Sequence, residues 1–262
     1  MPQAVSRILG WVYDSNACCR IVVTPNVDHV VQLHLRPELK EIYRAADMTL
    51  ADGWPLVSMS RLFGRPLPER VAGSDLLPEL CQACAVSGSP LRLFLLGGMP
   101  GVAERAKVAI ESKWTNVSVV GHCSPPLGFE GDAAINRSIC DQINDAQADL
   151  LIVGLGFPKQ ELWMAAHRSE LKVPVALGLG ATIDFLAGEQ VRAPRWMQRS
   201  KLEWLHRLAS NPRRLVARYA TDAIYFPWIC WGQWRDLKRE SSPSQQQVGG
   251  PQQDPVQQRG SV

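Results

Sequence analysis

The chain has 262 residues, of which 46% are hydrophobic, enough for one sizeable α/β domain with an appendage or for two small domains. The net charge is only +3, which excludes a uniformly basic or acidic protein. Seven cysteines, an odd number in mostly apolar contexts, exclude a disulfide framework, and no apolar run approaches the ~20 residues of a membrane span.

Short apolar runs alternate with helical patterns through most of the chain. Residues 1–15 lack the charged and then apolar layout of a signal peptide, so we expect no leader there. The apolar runs predict strands at Arg20–Thr24, Met48–Ala51, Leu91–Leu96, Val117–Val120, Leu150–Val153 and Val173–Gly178. Helices are predicted at Val27–Ala46 with an interruption at Pro37, Trp54–Phe63, Ser74–Val86 with Ser74 as N-cap, 101–113, Asp132–Asn144 and Lys159–Glu170.

This alternation predicts the fold class. Most of the predicted strands are continuously apolar, which is typical of a mostly parallel sheet covered by helices on both faces. We therefore expect a doubly wound, Rossmann-like α/β catalytic domain over residues 1–191.

The pattern changes at about Arg192, where only helices are predicted, with interruptions at Pro212 and Pro227. Residues 192–239 contain 11 Lys or Arg, only 3 Asp or Glu, and five of the nine Trp residues. Such a basic, Trp-rich helical appendage favours an anionic partner, either a nucleic acid or a membrane surface, and the alternative is a solvated basic helix face. Residues 240–262 are polar and of low complexity, so we expect a disordered tail.

Three predicted strand ends carry glycines, at 97–98, 154–156 and 178–180. In the second of these, Pro158 suits the first turn of the helix that follows, so backbone N–H groups would face open space, as an anion site requires. The polar side chains Lys159, Gln160 and Glu161 follow directly. One such turn is also compatible with an ordinary strand-to-helix connection, but three at one sheet edge favour a phosphorylated ligand.

Asp52 is the candidate for acid–base chemistry. It follows an apolar strand and precedes a glycine, so we expect it at the carboxyl edge of the sheet, beside Thr24 and Asn26. Partial burial would raise its pKa and suit it to act as a general base. The alternative is a cap on the helix beginning at Trp54. For Asp184, near another strand end, a cap or loop role is favoured.

We predict no metal site and no cofactor. The chain has no Asp-x-Asp motif that would hold a divalent ion for a nucleotide diphosphate. Cys81 and Cys84 have a C-x-x-C spacing without a second pair, and they lie at helical spacing with Leu77 and Leu80, which favours core packing.

Eight motifs, in order from about Arg20 to Tyr219, resemble those of the WecG/TagA/CpsF glycosyltransferases (glycosyltransferase family 26). They are Thr24-Pro-Asn26, Ala51-Asp52-Gly53, Glu69-Arg70-Val-Ala-Gly73-Ser-Asp75, Leu95-Leu-Gly97-Gly98-x-Pro100-Gly101, Gly154-Leu-Gly156-x-Pro158-Lys-Gln160-Glu161, Gly180-Ala-x-x-Asp184-Phe-x-Ala-Gly188, Arg192-Ala-Pro194-x-Trp196 and Leu202-Glu-Trp204-Leu-x-Arg207-Leu.

The resemblance implies a Rossmann-like fold of the GT-E type, with a C-terminal appendage that helps close the site and docks on the membrane. It implies an inverting UDP-sugar-dependent hexosyltransferase that acts on a polyprenyl-diphosphate-linked sugar in the synthesis of cell-surface polysaccharide such as teichoic acid. The donor sugar would be N-acetylmannosamine, its uronic acid or glucose. The protein would be cytoplasmic, peripheral on the inner membrane face, and self-associating.

The resemblance also implies roles for single residues. Asp52 would be the base, Thr24 and Asn26 would line the pocket beside it, and Gln160 would help to hold donor or acceptor. Trp54 departs from the small or aliphatic residue that more often follows Asp-Gly in the family. Candidates for binding the phosphates and the rest of the substrates are Arg70, Gly97, Gly98, Gly101, Gly154, Gly156, Lys159, Glu161, Arg192, Arg207, Arg213, Arg214 and Arg218.

Two other classes of protein are weighed against the transferase. A nucleotide-binding oxidoreductase would share the doubly wound sheet, but no Gly-x-Gly-x-x-Gly opens the first strand-to-helix turn. A non-enzymatic protein that binds an anionic polymer such as a nucleic acid would use the basic segment, but would need neither Asp52 nor glycine-bearing strand ends. We therefore expect no nucleic-acid partner.

Overall fold

The computed structural model describes residues 1–14, 18–194, 196–197 and 200–240. It contains one six-stranded sheet of order β2-β1-β6-β5-β3-β4, and every strand pair in it is parallel. The sheet confirms the predicted fold class. The strands are β1 (Arg20–Val23), β2 (Met48–Thr49), β3 (Leu91–Gly97), β4 (Val117–Cys123), β5 (Leu150–Gly154) and β6 (Val175–Gly178).

Helices cover both faces of the sheet. They are α1 (Pro2–Val12), α2 (Val27–Leu35), α3 (Lys40–Arg44), α4 (Trp54–Leu62), α5 (Gly73–Ser87), α6 (Val102–Lys113), α7 (Ala133–Asp145), α8 (Lys159–His167), α9 (Thr182–Leu186), α10 (Glu203–Ser210) and α11 (Pro212–Glu240). Two 3₁₀ turns lie at Pro37–Leu39 and Phe129–Gly131.

Side chains of the strands point alternately into two hydrophobic cores, because successive strand residues face opposite sides of a sheet. In β5, Leu150 and Ile152 contribute to the core beneath α1, α5 and α6, whereas Leu151 and Val153 contribute to the core beneath α7 and α8. All four are fully buried. This two-sided burial explains why the strands read as continuous apolar runs.

Several predicted boundaries are wrong. Ser74 does not cap α5, because the N-cap is Ala72 and Ser74 lies inside the helix. The helix predicted to reach Glu170 ends at His167, and α1 was not predicted at all. The strand predicted over 48–51 forms a regular ladder only at Met48–Thr49, whereas the one predicted over 117–120 continues to Cys123.

The C-terminal segment forms a two-helix appendage. Helix α11 begins at Pro212 and runs through Pro227, so the predicted interruption at Pro227 is wrong. It packs along α2, where Arg218 forms an ion pair with Asp28 (2.9 Å) and the Trp228 ring meets His34 edge-on. Across the described ranges, no helix is both long enough and apolar enough to cross a bilayer. The tail predicted to be disordered lies outside the described residues from 241 onward.

Two of the glycine-bearing strand ends pack directly against each other. A Cβ atom on Gly97 would lie 2.5 Å from the carbonyl oxygen of Gly154, and one on Gly154 would lie 2.9 Å from the carbonyl oxygen of Gly180. Both distances are closer than real Cβ contacts allow, so no side chain fits at either position. Close packing is therefore a sufficient structural reason for these two glycines.

Candidate active site

A cavity of about 640 Å³ lies between the carboxyl edge of β1 and β2 and the appendage. The sheet side contributes residues at the ends of these two strands and on α4, while α10 and α11 form the opposite wall. Its lining comprises Asn26, Val27, Asp28, Asp52, Gly53, Trp54, Pro55, Ser58, Arg70, Lys201, Glu203, Trp204, Arg207, Leu215, Arg218, Tyr219, Asp222, Ala223, Phe226 and Pro227. Charged groups and aromatic rings meet in one cavity, as in many small-molecule sites.

Asp52 reaches the cavity because hydrogen bonding to β1 continues beyond β2. The Leu50 N–H donates to the Val23 carbonyl (2.9 Å), and the Asp52 N–H donates to the Pro25 carbonyl (2.8 Å). The cap on α4 is Gly53 and no side chain caps that helix, so the capping alternative for Asp52 is wrong. The carboxylate therefore does not serve as a helix cap, and Asp52 lines the cavity together with Asn26.

The Asp52 carboxylate is largely buried, with 21% of its side chain exposed. Arg70 donates from Nε to its Oδ1 at 3.2 Å. Within the part of the chain that the structure describes, Oδ2 accepts no hydrogen bond. Burial raises the pKa of Asp52, and the positive charges of Arg70 and Arg207 act against that rise. When it is ionised, a cavity-lining carboxylate with a raised pKa can accept a proton from a ligand.

Arg70 also joins the sheet edge to the appendage. Its NH2 group donates to Oε2 of Glu203 at 3.0 Å, and Arg207 donates to Oε1 of the same carboxylate at 3.3 Å. Arg192 approaches Glu203 to 3.9 Å and forms a two-pronged ion pair with Asp75. Three guanidinium groups therefore converge beside Asp52, which makes this region suited to an anionic ligand.

Some donors in this region have no hydrogen-bond partner among the described residues although they are buried. They are the Nε groups of Arg192, Arg207 and Arg218 and the indole N–H of Trp54. A buried donor without a partner costs on the order of 1–3 kcal/mol. Three of these groups belong to residues that line the cavity, Trp54, Arg207 and Arg218.

A second carboxylate pair lies at the far side of the cavity, where α11 meets α2. Asp28 is paired with Arg218, whereas Oδ1 of Asp222 is buried without a partner in the described structure. Burial, together with the nearby charge of Asp28, raises the pKa of Asp222 to about 6. The folded state therefore binds more protons than the unfolded state between about pH 4 and 6.

We expect Asp222→Asn to stabilise the protein at neutral pH. The pKa of Asp222 is higher in the folded state than in the unfolded state. Ionisation of Asp222 therefore lowers the free energy of unfolding as the pH rises from about 4 to 6, and this loss of stability persists at higher pH. Removing the charge should add about 1 kcal/mol at pH 7.5, and this gain should disappear near pH 4. Thermal unfolding at the two pH values measures it.

Asp236→Asn is the matched control for this substitution, because Asp236 lies exposed on the same helix. It should leave the melting temperature unchanged at both pH values. A gain for Asp222→Asn that persists or grows at pH 4 would contradict the assignment.

Five of the predicted site residues line the cavity: Asn26, Asp52, Arg70, Arg207 and Arg218. Thr24 lies just below it, buried, with its hydroxyl donating to the Gly178 carbonyl at 2.9 Å. Asn26 accepts a hydrogen bond from the His29 N–H and so begins α2. The region around Asp52 is therefore assembled as expected, but Thr24 itself is directed toward the sheet.

The residues of the glycine turns do not line this cavity. Asp52 follows β2, Gly97 ends β3, and these two strands are four positions apart in the sheet, about 19 Å at the usual strand spacing. Gln160 is buried behind the strand ends, where it accepts from the Gly180 N–H and donates to Glu161. Lys159 pairs with Glu130. Roles in ligand binding for these residues, and for Gly98, Gly101, Gly154 and Gly156, stay predictions.

The remaining predicted arginines differ in position. Arg192 is not among the cavity-lining residues, but it pairs with Asp75 and approaches Glu203, which does line the cavity. Arg213 is exposed at the start of α11, outside the cavity lining. The side chain of Arg214 lies outside what the structure describes.

A possible metal-binding group lies elsewhere. Donor atoms of Cys140, His167 and Glu170 fall within 4.8 Å of one another, and none of the three lines the cavity. His167 Nδ1 is already hydrogen-bonded to Glu170 at 3.0 Å, and burial raises the pKa of Cys140 to about 11, which keeps the thiol protonated. These features suit packing between α7 and the end of α8. The pair Cys81 and Cys84 is buried in the core, as predicted.

The appendage contributes cavity residues that sequence reasoning did not select. They include Lys201, Glu203, Trp204, Tyr219 and Asp222. Glu203 and Trp204 belong to the Leu202-Glu-Trp204 motif, which could have identified them as site residues. No sequence motif pointed to Asp222, because only the packing of α11 on α2 brings it near Asp28.

The chain is similar to known proteins over most of its length. A model of the family described as "Glycosyl transferase WecG/TagA/CpsF family" matches residues 1–240. A Bacillus spizizenii protein named N-acetylglucosaminyldiphosphoundecaprenol N-acetyl-beta-D-mannosaminyltransferase is 30% identical over 208 residues, 78% of each chain. A protein of the same name from Staphylococcus aureus is 27% identical over 215 residues, 82% of each chain. The chain belongs to the WecG/TagA/CpsF family of glycosyltransferases.

Proposed function

We propose that this protein transfers a sugar from a UDP donor to a sugar linked to polyprenyl diphosphate, with inversion at the anomeric carbon and Asp52 as the general base. The observation that carries the proposal is the cavity in which a buried carboxylate with one free oxygen lies beside several arginines. Such a site can both deprotonate a hydroxyl group and hold a diphosphate.

The names of the relatives guide the choice of substrates. Those proteins are named as transferring N-acetyl-β-D-mannosamine to N-acetylglucosaminyl-diphospho-undecaprenol. Of the three donor sugars that the family resemblance allows, we therefore favour N-acetylmannosamine over its uronic acid and glucose. We assign the protein to the synthesis of a cell-envelope polysaccharide of the teichoic acid or exopolysaccharide kind.

The proposed reaction is a single displacement. The acceptor hydroxyl attacks the anomeric carbon from the face opposite UDP, its oxygen forms the new glycosidic bond, and its proton passes to Oδ2 of Asp52. The bond from the anomeric carbon to the UDP oxygen breaks, and UDP leaves with that electron pair. The proton returns to solvent when the products depart. Because Asp52 must be ionised, activity should fall as the pH drops through its raised pKa.

Negative charge develops on UDP as this bond breaks and must be stabilised. Arg70, Arg207 and Arg218 line the cavity and place their positive charges there. Guanidinium groups bind phosphate oxygens in a bidentate manner. We propose that these arginines neutralise the diphosphates of the substrates and that no metal ion is needed.

Nucleotide binding tests the proposal against the alternatives of an oxidoreductase and a polymer-binding protein. UDP at about 100 times its dissociation constant should add about 2.7 kcal/mol to the stability, which raises the melting temperature by several degrees. NAD and a short DNA duplex should produce no shift. Stabilisation by NAD or by the duplex, but not by UDP, would contradict a UDP-sugar transferase.

We also propose that α11 docks on the inner face of the cell membrane. Ile224, Trp228 and Trp231 are spaced along one side of the helix and are each more than half exposed. Arg235 lies over the Trp231 ring and Lys238 over the Trp234 ring, so basic groups accompany the aromatic ones. This combination suits an interface with anionic lipid. Residues 192–239 would then be a membrane-docking appendage to a catalytic domain over 1–191.

Replacing Ile224 and Trp231 together by Ser should weaken binding to anionic vesicles at least tenfold, because two large apolar side chains are lost from the interface. Sedimentation with vesicles measures the effect. Val86→Ser with Val108→Ser is the control, since both valines are also more than half exposed but lie on α5 and α6. Equal binding by the two double variants would contradict docking through α11. Self-association stays a prediction from the family.

A further inference from the structure

Glu203 is the link between the appendage and the candidate base. It is the first residue of α10, where a carboxylate is favoured by the helix dipole, and it is only 9% exposed. Its two oxygens have different partners, because Oε1 accepts from Arg207 in the next turn and Oε2 accepts from Arg70. A buried carboxylate held in this way has a defined position.

Arg70 is consequently shared between two carboxylates. Its Nε faces Asp52 at 3.2 Å while its NH2 group faces Glu203 at 3.0 Å. Without Glu203, the whole guanidinium of Arg70 would be available to Asp52. A guanidinium that pairs with a single carboxylate stabilises its ionised form and makes that carboxylate a weaker base.

We propose, on the basis of the transferase function above, that Glu203 is a positioning residue: it holds Arg70 between two carboxylates, so that only one side of the guanidinium pairs with Asp52. The residue acts through Arg70 and need not touch the reacting atoms. Because Glu203 comes from α10, the base reaches its working state only when the appendage is seated against the sheet edge.

The charges around Asp52 support this role. The facing groups are Arg70 from the loop before α5, Arg207 and Glu203 from α10, and Arg192 from the segment after α9. Burial is the main cause that raises the pKa of Asp52, Arg70 and Arg207 lower it, and the negative charge of Glu203 raises it further. Removing the negative charge of Glu203 should therefore lower the pKa of Asp52. The same change makes the cavity more positive, which favours a bound diphosphate.

The test is Glu203→Gln in the full chain, which preserves the shape of the side chain. We expect kcat to fall about tenfold, because a less basic carboxylate is a poorer proton acceptor. The acidic limb of the pH profile of kcat should move to lower pH, and the dissociation constant for UDP should stay the same or decrease. Glu203→Asp, which keeps the charge, should restore the position of the acidic limb.

A purely structural role gives a different result. The melting temperature, UDP binding and kcat would then fall together, with the acidic limb unmoved, and this would overturn the inference. A shift of the limb to higher pH would overturn it too. The control is Glu189→Gln, which breaks an exposed pair with Arg105 outside the cavity and should change none of the readouts.

The wild-type protein is assayed first, so that the two proposals can fail separately. If it transfers no sugar from any UDP donor, the proposed function fails and this inference fails with it. If it transfers sugar but Glu203→Gln leaves kcat and its pH profile unchanged, only the role of Glu203 is wrong.

Discussion

Asp52→Asn should lower kcat by about 10²- to 10⁴-fold while UDP binding stays within about twofold of the wild type. The amide has the shape of the carboxylate but cannot take the proton of the acceptor hydroxyl, and general-base catalysis accounts for a rate effect of this size. UDP binding should persist because it depends on the arginines, which the substitution leaves in place. Initial rates of transfer and a thermal shift with UDP measure the two quantities.

Asp184→Asn provides the comparison. Asp184 is also a carboxylate close to a strand end, but it lies on α9 outside the cavity, where it accepts a hydrogen bond from Gln190. Its substitution should change kcat by no more than a few-fold. Turnover by Asp52→Asn at the wild-type rate would show that another group is the base.

Ending the chain after residue 194 should abolish transfer to a lipid-linked acceptor, a loss on the order of 10³-fold or more, whereas ending it after residue 240 should leave the rate unchanged. The chain that ends at residue 194 lacks α10 and α11, which supply one wall of the cavity together with Arg207, Arg218 and Glu203. Substrates that are no longer held in position lose the rate advantage of orientation. The chain that ends at residue 240 lacks only residues outside the described structure.

Ending the chain at residue 194 also exposes the face of α2 that α11 covers, which could destabilise the fold. Thermal unfolding therefore serves as the check that the shortened chain is folded. Arg207→Met in the full chain answers the same question if the shortened chain does not unfold cooperatively. It removes one charge from the cavity and should lower kcat/KM about 100-fold. Wild-type activity in the chain ending at 194 would show that the appendage is not part of the site.

The sheet could be predicted from the sequence because its strands are buried on both faces. Runs such as Leu150–Val153 have no polar position to confuse the pattern, and the observed strands lie at all six predicted sites. Helix α1 was not predicted, although its buried residues Ala4, Val5, Ile8 and Val12 follow a helical spacing. Pro227 was misjudged because tertiary packing can hold a helix together across a proline.

The candidate site was predicted only in part. The ends of β1 and β2 are local features, so Asp52 and Asn26 could be placed beside each other from the strand pattern. Glu203 meets Arg70 across 133 positions of the chain, and no periodicity contains that contact. The glycine turns were the strongest sequence feature at the sheet edge, yet Gly97 and Gly154 have a packing reason of their own. The cavity formed instead where the appendage closes over Asp52.

The central claim is tested most directly by the mass of the lipid product. The protein is incubated with a polyprenyl-diphosphate N-acetylglucosamine acceptor and, one at a time, with UDP-linked N-acetylmannosamine, its uronic acid and glucose. We predict that the acceptor gains the mass of one N-acetylhexosamine residue with the first donor, and that Asp52→Asn gives no such product in the same time. An unchanged acceptor mass with every UDP-sugar, from protein that unfolds cooperatively, would contradict the account.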